Sequence, residues 1–296
     1  MEWDILQFLV WPIVASLVVA GIHAYLGLHV VERGVIFVDL SLAQIASLGA
    51  TLALLIPAWG GDPHTAPVYW MSLGFTFIGA AIFSLIKGHK ARIPQEAIIG
   101  ITYAVASAAV IIAMSKSTGE AEHLRDMLVG NILSVSPEDV MKTAGLYVVI
   151  GLFHYIFRKQ FLRISVDPEG AAAAGVPVRF WDFLFYASFG FVVTRSVAIA
   201  GVLLVFCYLI VPSVAGMLYA RRIGPRLAIG WIMAVVVSML GMYFSVEFDL
   251  PTGATIVCTF GVVLALMAAV RPLLRPREVA AAGTTEAGAT PGGAGA

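Results

Sequence analysis

Long apolar stretches with few charged residues repeat along the chain, and polar residues concentrate in the segments between them. A helix needs roughly 20 apolar residues to cross the hydrocarbon core of a bilayer, and a charge at its centre costs about 2.5–3.5 kcal/mol on insertion scales. Charge-poor stretches therefore predict membrane-spanning helices. Nine occur: Ile5–Val31, Val35–Ala58, Ala66–Ile86, Ala97–Ser115, Val140–Phe157, Phe180–Val193, Ser196–Ala220, Leu227–Val246 and Gly253–Val270.

The sixth stretch is the weakest, because Asp182 and Arg195 bracket it and only fourteen residues remain. An alternative has eight spans, in which stretches six and seven are one span plus a broken or re-entrant piece, which lipid tolerates only where other protein buries it. The pattern thus predicts an all-α, polytopic transmembrane helical bundle of about nine spans, with eight as the alternative.

The basic residues predict the direction of the chain. Cytoplasmic connections carry an excess of Lys and Arg. Fourteen of the 18 basic residues fall in alternate connections: Arg33; Lys87, Lys90 and Arg92; Arg158, Lys159, Arg163 and Arg179; Arg221, Arg222 and Arg226; and Arg271, Arg275 and Arg277. We therefore expect the N-terminus outside and the C-terminus in the cytoplasm, an arrangement that requires an odd number of spans and favours nine over eight.

Composition excludes several classes of protein. Of 296 residues, 60% are hydrophobic and 12% are charged, about half the charged share of a soluble domain, which excludes a water-soluble globule. Basic and acidic residues balance at 18 each, so no net field indicates a nucleic-acid partner. We expect a transmembrane domain over residues 1–276 and a disordered Ala/Gly-rich tail over residues 277–296.

One cytoplasmic connection predicts a short helix with small side chains. Asp167-Pro168 is typical of a helix start, and Gly175 followed by Pro177 is typical of a helix end. Glu169, Ala171 and Gly175 follow the spacing E-x-A-x-x-x-G, which resembles the coupling-helix signature of ABC importer membrane subunits. An ordinary alanine-rich connecting helix is the alternative interpretation.

Six landmarks in order, of which the segment Asp167–Gly175 is one, give a more specific resemblance over about Gly21 to Val270. The chain resembles the membrane (permease) subunits of zinc, manganese and iron-type ABC importers, as a divergent member. The landmarks are Arg33 with Asp39–Gln44 and Leu48–Gly49; Glu96–Ile101; Val129–Asp139; Asp167–Gly175; Gly201–Leu204 with Leu209–Pro212; and Asp249–Ala254.

The resemblance implies a non-catalytic permease subunit of the bacterial cytoplasmic membrane that moves a divalent metal ion. It also implies a second permease copy, a cytoplasmic ATPase subunit that Asp167, Glu169, Ala171 and Gly175 would contact, and an external solute-binding protein. The chain contains no G-x-x-x-x-G-K-[ST] motif, so ATP must bind a separate polypeptide, and we expect no cofactor on this chain.

The chain departs from this family where a transported ion would pass. The family usually carries Asp and His four residues apart in the second span, and here Leu40 and Gln44 occupy those positions. Asp39 lies one residue earlier, about 100° around the helix, where it either reaches the pore or caps the helix end. Glu96 matches a family carboxylate and either contacts metal or caps a helix. Asp39, Gln44 and Glu96 are the candidate pathway residues.

Alternative functions remain open at this stage. The uncharged Leu40 and Gln44 also favour import of a metal chelate or a cobalamin-like compound by the same machinery. An ATP-independent secondary carrier would show paired broken helices. A membrane enzyme would show a nucleophile together with an acid and a base. Neither pattern is evident in the sequence. The buried-type histidines, His23, His29 and His154, show no spacing suited to joint chelation of one ion.

Overall fold

The apolar stretches form helices in the computed structural model, which describes residues 2–56, 65–86, 94–115 and 132–274. Those ranges contain helices, turns and short connections, and no strand. Their α-helices, numbered here along the chain, are α1 (Glu2–Glu32), α2 (Val38–Leu54), α3 (Ala66–Ile86), α4 (Gln95–Met114), α5 (Pro137–Ile156), α6 (Arg158–Val166), α7 (Pro168–Ala173), α8 (Val178–Ala200), α9 (Val202–Tyr219), α10 (Ile223–Glu247) and α11 (Thr252–Val270). The tail predicted to be disordered, residues 277–296, lies outside the described residues, so its boundary with residues 1–276 stays a prediction.

Seven helices in the described ranges are long and apolar enough to cross a membrane: α1, α3, α4, α8, α9, α10 and α11. Helices α5 and α6 pass the same test only as a pair, and they meet at a bend of 74°, which allows at most an eighth span. Helix α2 is apolar but has only 17 residues. The predicted all-helical, polytopic architecture is confirmed, whereas the total of nine spans and the direction of the termini stay predictions.

The boundary that the sequence predicts between the sixth and seventh stretches is wrong. Helix α8 continues through Arg195 to Ala200, and the break falls at Gly201, whose φ is +76°. Arg195 donates to Asp139 at 2.6 Å, and Asp182 accepts from Arg33 at 2.5 Å. Because a partner neutralises each charge, neither has to leave the helix for water, and α8 reaches a full spanning length.

The helices pack in two groups. Helix α1 packs on α9 and α10, and α9, α10 and α11 pack on one another. In the second group, α2 packs on α3 and α4, and α3 packs on α8. Helix α5 contacts both α1 and α8, so it joins the groups.

Glycines allow the closest helix contacts in the first group. A Cβ atom at Gly27 of α1 would lie 2.8 Å from the carbonyl carbon of Leu209 in α9, and one at Gly216 of α9 would lie 3.0 Å from the Cα of Arg226 in α10. Lipid provides no hydrophobic drive between helices, so association depends on such close backbone packing.

Large apolar side chains remain exposed on the outer helices. Ile112 of α4, Val148 of α5 and Ile232 of α10 are 70%, 69% and 65% exposed. A soluble monomer rarely exposes this much apolar surface, whereas a chain surrounded by lipid requires it.

Candidate functional site

The predicted cytoplasmic helix is present as α7, and a side-chain cap begins it. Asp167 precedes α7, and its Oδ1 accepts a hydrogen bond from the Gly170 N–H at 2.8 Å. Pro168 occupies the first helical position, where its missing N–H removes no intrahelical bond. Two local signals therefore start this helix without help from the rest of the fold.

Helix α7 stops at a glycine in the left-handed region. Gly175 has a φ of +77°, a conformation that costs residues with a Cβ about 1–2 kcal/mol. The N–H groups of Gly175 and Val176 donate to the carbonyls of Ala172 and Ala171, both at 3.0 Å. This is a Schellman ending, which satisfies carbonyls that the helix would otherwise leave unpaired.

The exposed side of α7 is made of very small side chains. Ala171 is fully buried against the bundle, whereas Glu169 and the residues from Ala172 to Gly175 are exposed. A Cβ atom at Gly175 would meet nothing within 4 Å. A partner groove could therefore approach the backbone of this segment closely, as the coupling interpretation requires. The roles of Asp167, Glu169, Ala171 and Gly175 at an ATPase stay predictions.

One residue of α6 connects the segment around α7 to the longer helices α1 and α8. Ser165 Oγ lies 2.8 Å from His29 Nδ1 and accepts a hydrogen bond from Arg33 Nε at 2.9 Å. Arg33 also donates to Asp182 at 2.5 Å, and neither side chain of that ion pair is exposed. We call His29, Arg33, Ser165 and Asp182 the α1–α6–α8 junction, because these residues join the three helices.

Aromatic rings surround the junction. The guanidinium carbon of Arg33 lies 4.0 Å from the centre of the Phe185 ring, within the range of a cation–π contact. Phe161 of α6 stacks on His154 of α5 at 4.3 Å and packs edge-on against Trp181 of α8 at 5.5 Å. The polar contacts of the junction therefore lie in an apolar environment, where breaking them is costly.

A second polar network follows one face of α5. The face carries Asp139, Thr143, Tyr147 and His154, at intervals of four, four and seven residues that keep them on one side of a helix. On α8, Arg195 donates hydrogen bonds to both Asp139 and Thr143. Tyr147 contacts Ser196 and the Val192 carbonyl, and His154 contacts Ser188. We call this network the α5–α8 seam. From Asp139 to His154 it extends about 22 Å along the helix.

Sequence reasoning missed the seam and the pairing within the junction. It treated Asp182 and Arg195 as span boundaries and assigned His154 no partner. The available signal was the helical spacing of polar residues within an otherwise apolar stretch, since such residues face the bundle interior and pair there. The particular partners belong to distant segments and were not accessible from that spacing.

Two of the predicted pathway residues are buried in α2. Asp39 is 1% exposed, and its Oδ1 has no hydrogen-bond partner among the residues that the structure describes. The capping position of α2 is occupied by Phe37, so Asp39 does not occupy it. Gln44, 4% exposed, lies about 7.5 Å further along the axis and about 140° around it. These two side chains therefore do not lie one helical turn apart on the same face of α2, as the family's Asp and His do.

The third predicted residue, Glu96, contacts the beginning of α2. Glu96 Oε1 accepts a hydrogen bond from the Phe37 N–H at 3.1 Å, while Oε2 has no partner within the described ranges. Glu96 therefore caps a neighbouring helix rather than its own, α4. Because Phe37 lies only two residues before Asp39, both carboxylates lie at the same end of the bundle.

Glu96→Ala is expected to lower the free energy of unfolding by about 0.5–2 kcal/mol, because the Phe37 N–H loses its acceptor. Glu96→Gln keeps a carbonyl oxygen at that position and should remain close to the natural protein. Thermal unfolding of both purified variants in the same detergent would measure the difference. Equal stability of the two variants would show that the Phe37 contact contributes nothing.

No group of three His, Cys, Asp or Glu side chains comes together as a metal-binding set in the described part of the chain. His29 and His154 both pack against the ring of Tyr25, at 4.9 and 5.6 Å, but each imidazole has a nitrogen at hydrogen-bond distance from a serine. Arg33 also lies beside His29 in the junction, which disfavours a second cation there. These histidines are structural elements of the two polar networks.

Comparison with known proteins places this geometry among transporters. A sequence profile of the ABC 3 transport family matches residues 5–271. The manganese transport system membrane protein MntC of Halalkalibacterium halodurans is 26% identical over 88% of this chain and 86% of that protein. The chelated iron transport system membrane protein YfeD of Yersinia pestis is 24% identical over 84% of this chain and 81% of that protein. A chain of the PsaBC structure from Streptococcus pneumoniae, solved in complex with Fab, shares the fold with a TM-score of 0.74 at 24% identity, over 90% of this chain and 95% of that one.

The family profile and the named relatives show that this polytopic helical bundle belongs to the class of ABC transporter permeases. The chain belongs to the ABC 3 transport family, because the profile of that family covers nearly the whole described sequence. It is accordingly a multi-pass protein of the cytoplasmic membrane.

Proposed function

We propose that the chain is the pore-forming permease subunit of an ABC importer that moves a divalent metal ion, zinc, manganese or iron, into the cytoplasm. The match to the ABC 3 transport family over residues 5–271 carries this proposal. The names of two relatives, which refer to manganese and to chelated iron, support a metal as the substrate. The residues described leave the choice among the three metals to experiment.

The proposed importer requires partner proteins that hydrolyse ATP and deliver the substrate. A separate ATPase subunit would bind ATP, because this sequence has no phosphate-binding loop. The same subunit would contact the exposed side of α7. A second permease copy would complete the pore, and an external solute-binding protein would deliver the ion. Closure of the ATPase subunits would move α7, and the rigid contacts of the α1–α6–α8 junction would pass that movement to the spans.

The proposed path uses oxygen ligands. Asp39 is a buried carboxylate whose Oδ1 has no hydrogen-bond partner among the described residues. An ionisable group buried in an apolar helix of a membrane protein is a functional candidate. Glu96 offers its second oxygen at the same end of the bundle, and Gln44 offers an amide oxygen further along α2. A small number of weak ligands suits a conduit, because the ion must also leave.

Asp39→Asn is expected to lower ATP-driven metal uptake at least tenfold, because the amide has nearly the same shape but no charge to stabilise the passing cation. The measurement is uptake of manganese, zinc and ferrous ions by vesicles that contain this chain, its ATPase and the binding protein. Glu96→Gln should reduce uptake less, because Glu96 is partly exposed and already holds the Phe37 N–H.

Vesicles that contain this chain without an ATPase provide the control for the whole proposal. They should accumulate no metal, whatever ion gradient is applied. Accumulation by the chain alone would identify a secondary carrier and exclude the proposed mechanism. Unchanged uptake by Asp39→Asn would leave the importer intact but remove Asp39 from its path.

A second candidate is import of a metal chelate or a cobalamin-like compound by the same machinery. The uncharged, partly exposed Leu40 and the buried amide of Gln44 favour it, because a chelate needs no carboxylate–imidazole pair. Competition between free ions and their chelates in the same uptake assay would separate the two substrates. Inhibition by the chelate alone would favour this second candidate.

A further inference from the structure

An apolar cleft outside the proposed transport path lies between α1, α5, α6 and α10. Its volume is about 520 Å³, and it is lined by aliphatic and aromatic side chains together with two glycines, Gly21 and Gly151. Trp231 of α10 forms one wall and donates its indole N–H to the Gly21 carbonyl at 2.9 Å. This hydrogen bond joins the Trp231 wall to α1, and the surface of the cleft is almost wholly apolar.

The length of the cleft matches one hydrocarbon chain. Along α5 it extends from Ala144 to Tyr155, about 16 Å at 1.5 Å per residue, close to half of a bilayer core about 30 Å thick. The acyl chains of one leaflet span about half of that core, so one acyl chain can line the cleft from end to end.

One end of the cleft carries a cation. The guanidinium of Arg158 lies 4.4 Å from the centre of the Tyr155 ring, and both residues line the cleft. Arg158 is exposed. None of the ion pairs found within the described ranges involves Arg158. Two more exposed arginines, Arg221 and Arg222, immediately precede Ile223, which lines the same cleft. Basic groups beside apolar clefts at this predicted cytoplasmic end are suited to phospholipid head groups.

We propose that the cleft binds one anionic phospholipid, with an acyl chain between α1, α5 and α10 and its phosphate at Arg158. The site depends on charge complementarity at one end and on apolar contact along half the membrane thickness. Such a lipid would fill the space between α5 and the first packed group, and so hold α5 against α1 and α10.

Gly151→Phe tests the acyl-chain part of the site. A Cβ atom at Gly151 would meet nothing within 4 Å, so the ring can enter the cleft without displacing backbone. Native mass spectrometry of the full chain, purified in mild detergent and exchanged with mixed phosphatidylglycerol and phosphatidylcholine, would count the lipid retained. The natural protein should keep one phosphatidylglycerol per chain, and Gly151→Phe should lower that fraction about tenfold.

Gly145→Phe is the matched control, because Gly145 lies on the same helix, also has open space around its Cβ position, and does not line the cleft. It should retain lipid as the natural protein does.

Arg158→Gln tests the head-group part and should lower the preference for phosphatidylglycerol about tenfold, the effect of losing one charge-assisted contact.

Three results would overturn the proposal. One is equal retention of both lipids by the natural protein, and another is equal lipid loss in Gly145→Phe and Gly151→Phe. The third is that Gly151→Phe dissociates a dimer that the natural protein forms, since the cleft would then belong to a contact between two copies.

Discussion

Arg33→Met is expected to lower the free energy of unfolding by about 3–5 kcal/mol, because it leaves the buried Asp182 charge without its guanidinium. Neither side chain of this ion pair is exposed, and Arg33 also contacts Ser165 and the ring of Phe185. A drop of roughly 10 °C in melting temperature should follow. The measurement is thermal unfolding of the purified full chain in detergent.

The double variant Arg33→Met/Asp182→Leu separates stability from function. It removes both charges, so it should recover most of the lost melting temperature. ATP-driven uptake should stay low in the double variant, because the contacts by which Arg33 joins Ser165 of α6 to Asp182 of α8 are still missing. Arg179→Met, at an exposed position in the first turn of α8, is the control and should melt as the natural protein does. Similar melting of Arg33→Met and this control would exclude a stabilising role for the ion pair.

Gly175→Val is expected to lower ATP-driven uptake at least tenfold while membrane insertion stays normal. Gly175 has a φ of +77°, which a β-branched residue adopts only at a cost, and its exposed position leaves the added side chain facing any docking partner. The α7 segment should then end differently and fit an ATPase groove poorly. The measurement compares uptake with ATP hydrolysis in vesicles that contain the assembled transporter.

Gly175→Asn distinguishes backbone conformation from bulk, because asparagine tolerates the left-handed region. It should retain more uptake than Gly175→Val. Gly224→Val provides a second control at a glycine in the first turn of α10, with open space around its Cβ position and no positive φ. Normal coupling in Gly175→Val would remove α7 from the proposed mechanism.

Local signals were sufficient to predict helix α7. Asp167, Pro168 and Gly175 act on backbone groups within a few residues of themselves. The structure has the helix start and the helix end that they predict, as a side-chain cap and a Schellman ending. Glu96 shows where such local reasoning stops. Its capping role was one of two interpretations, but the N–H that it caps belongs to Phe37, 59 residues away in the chain.

The class of protein followed from the sequence, because lipid requires long apolar helices and because the ABC importer landmarks are short segments in a fixed order. The partners of the charged residues came only from the tertiary structure: Arg33 with Asp182, Asp139 with Arg195, and the phenol and imidazole groups of the α5–α8 seam with α8. A long apolar stretch indicates that a residue lies inside a span, but it does not indicate which distant span packs against that residue. Whether a charge ends a helix or lies within it depends on that opposite residue, so the length of α8 was decided by packing.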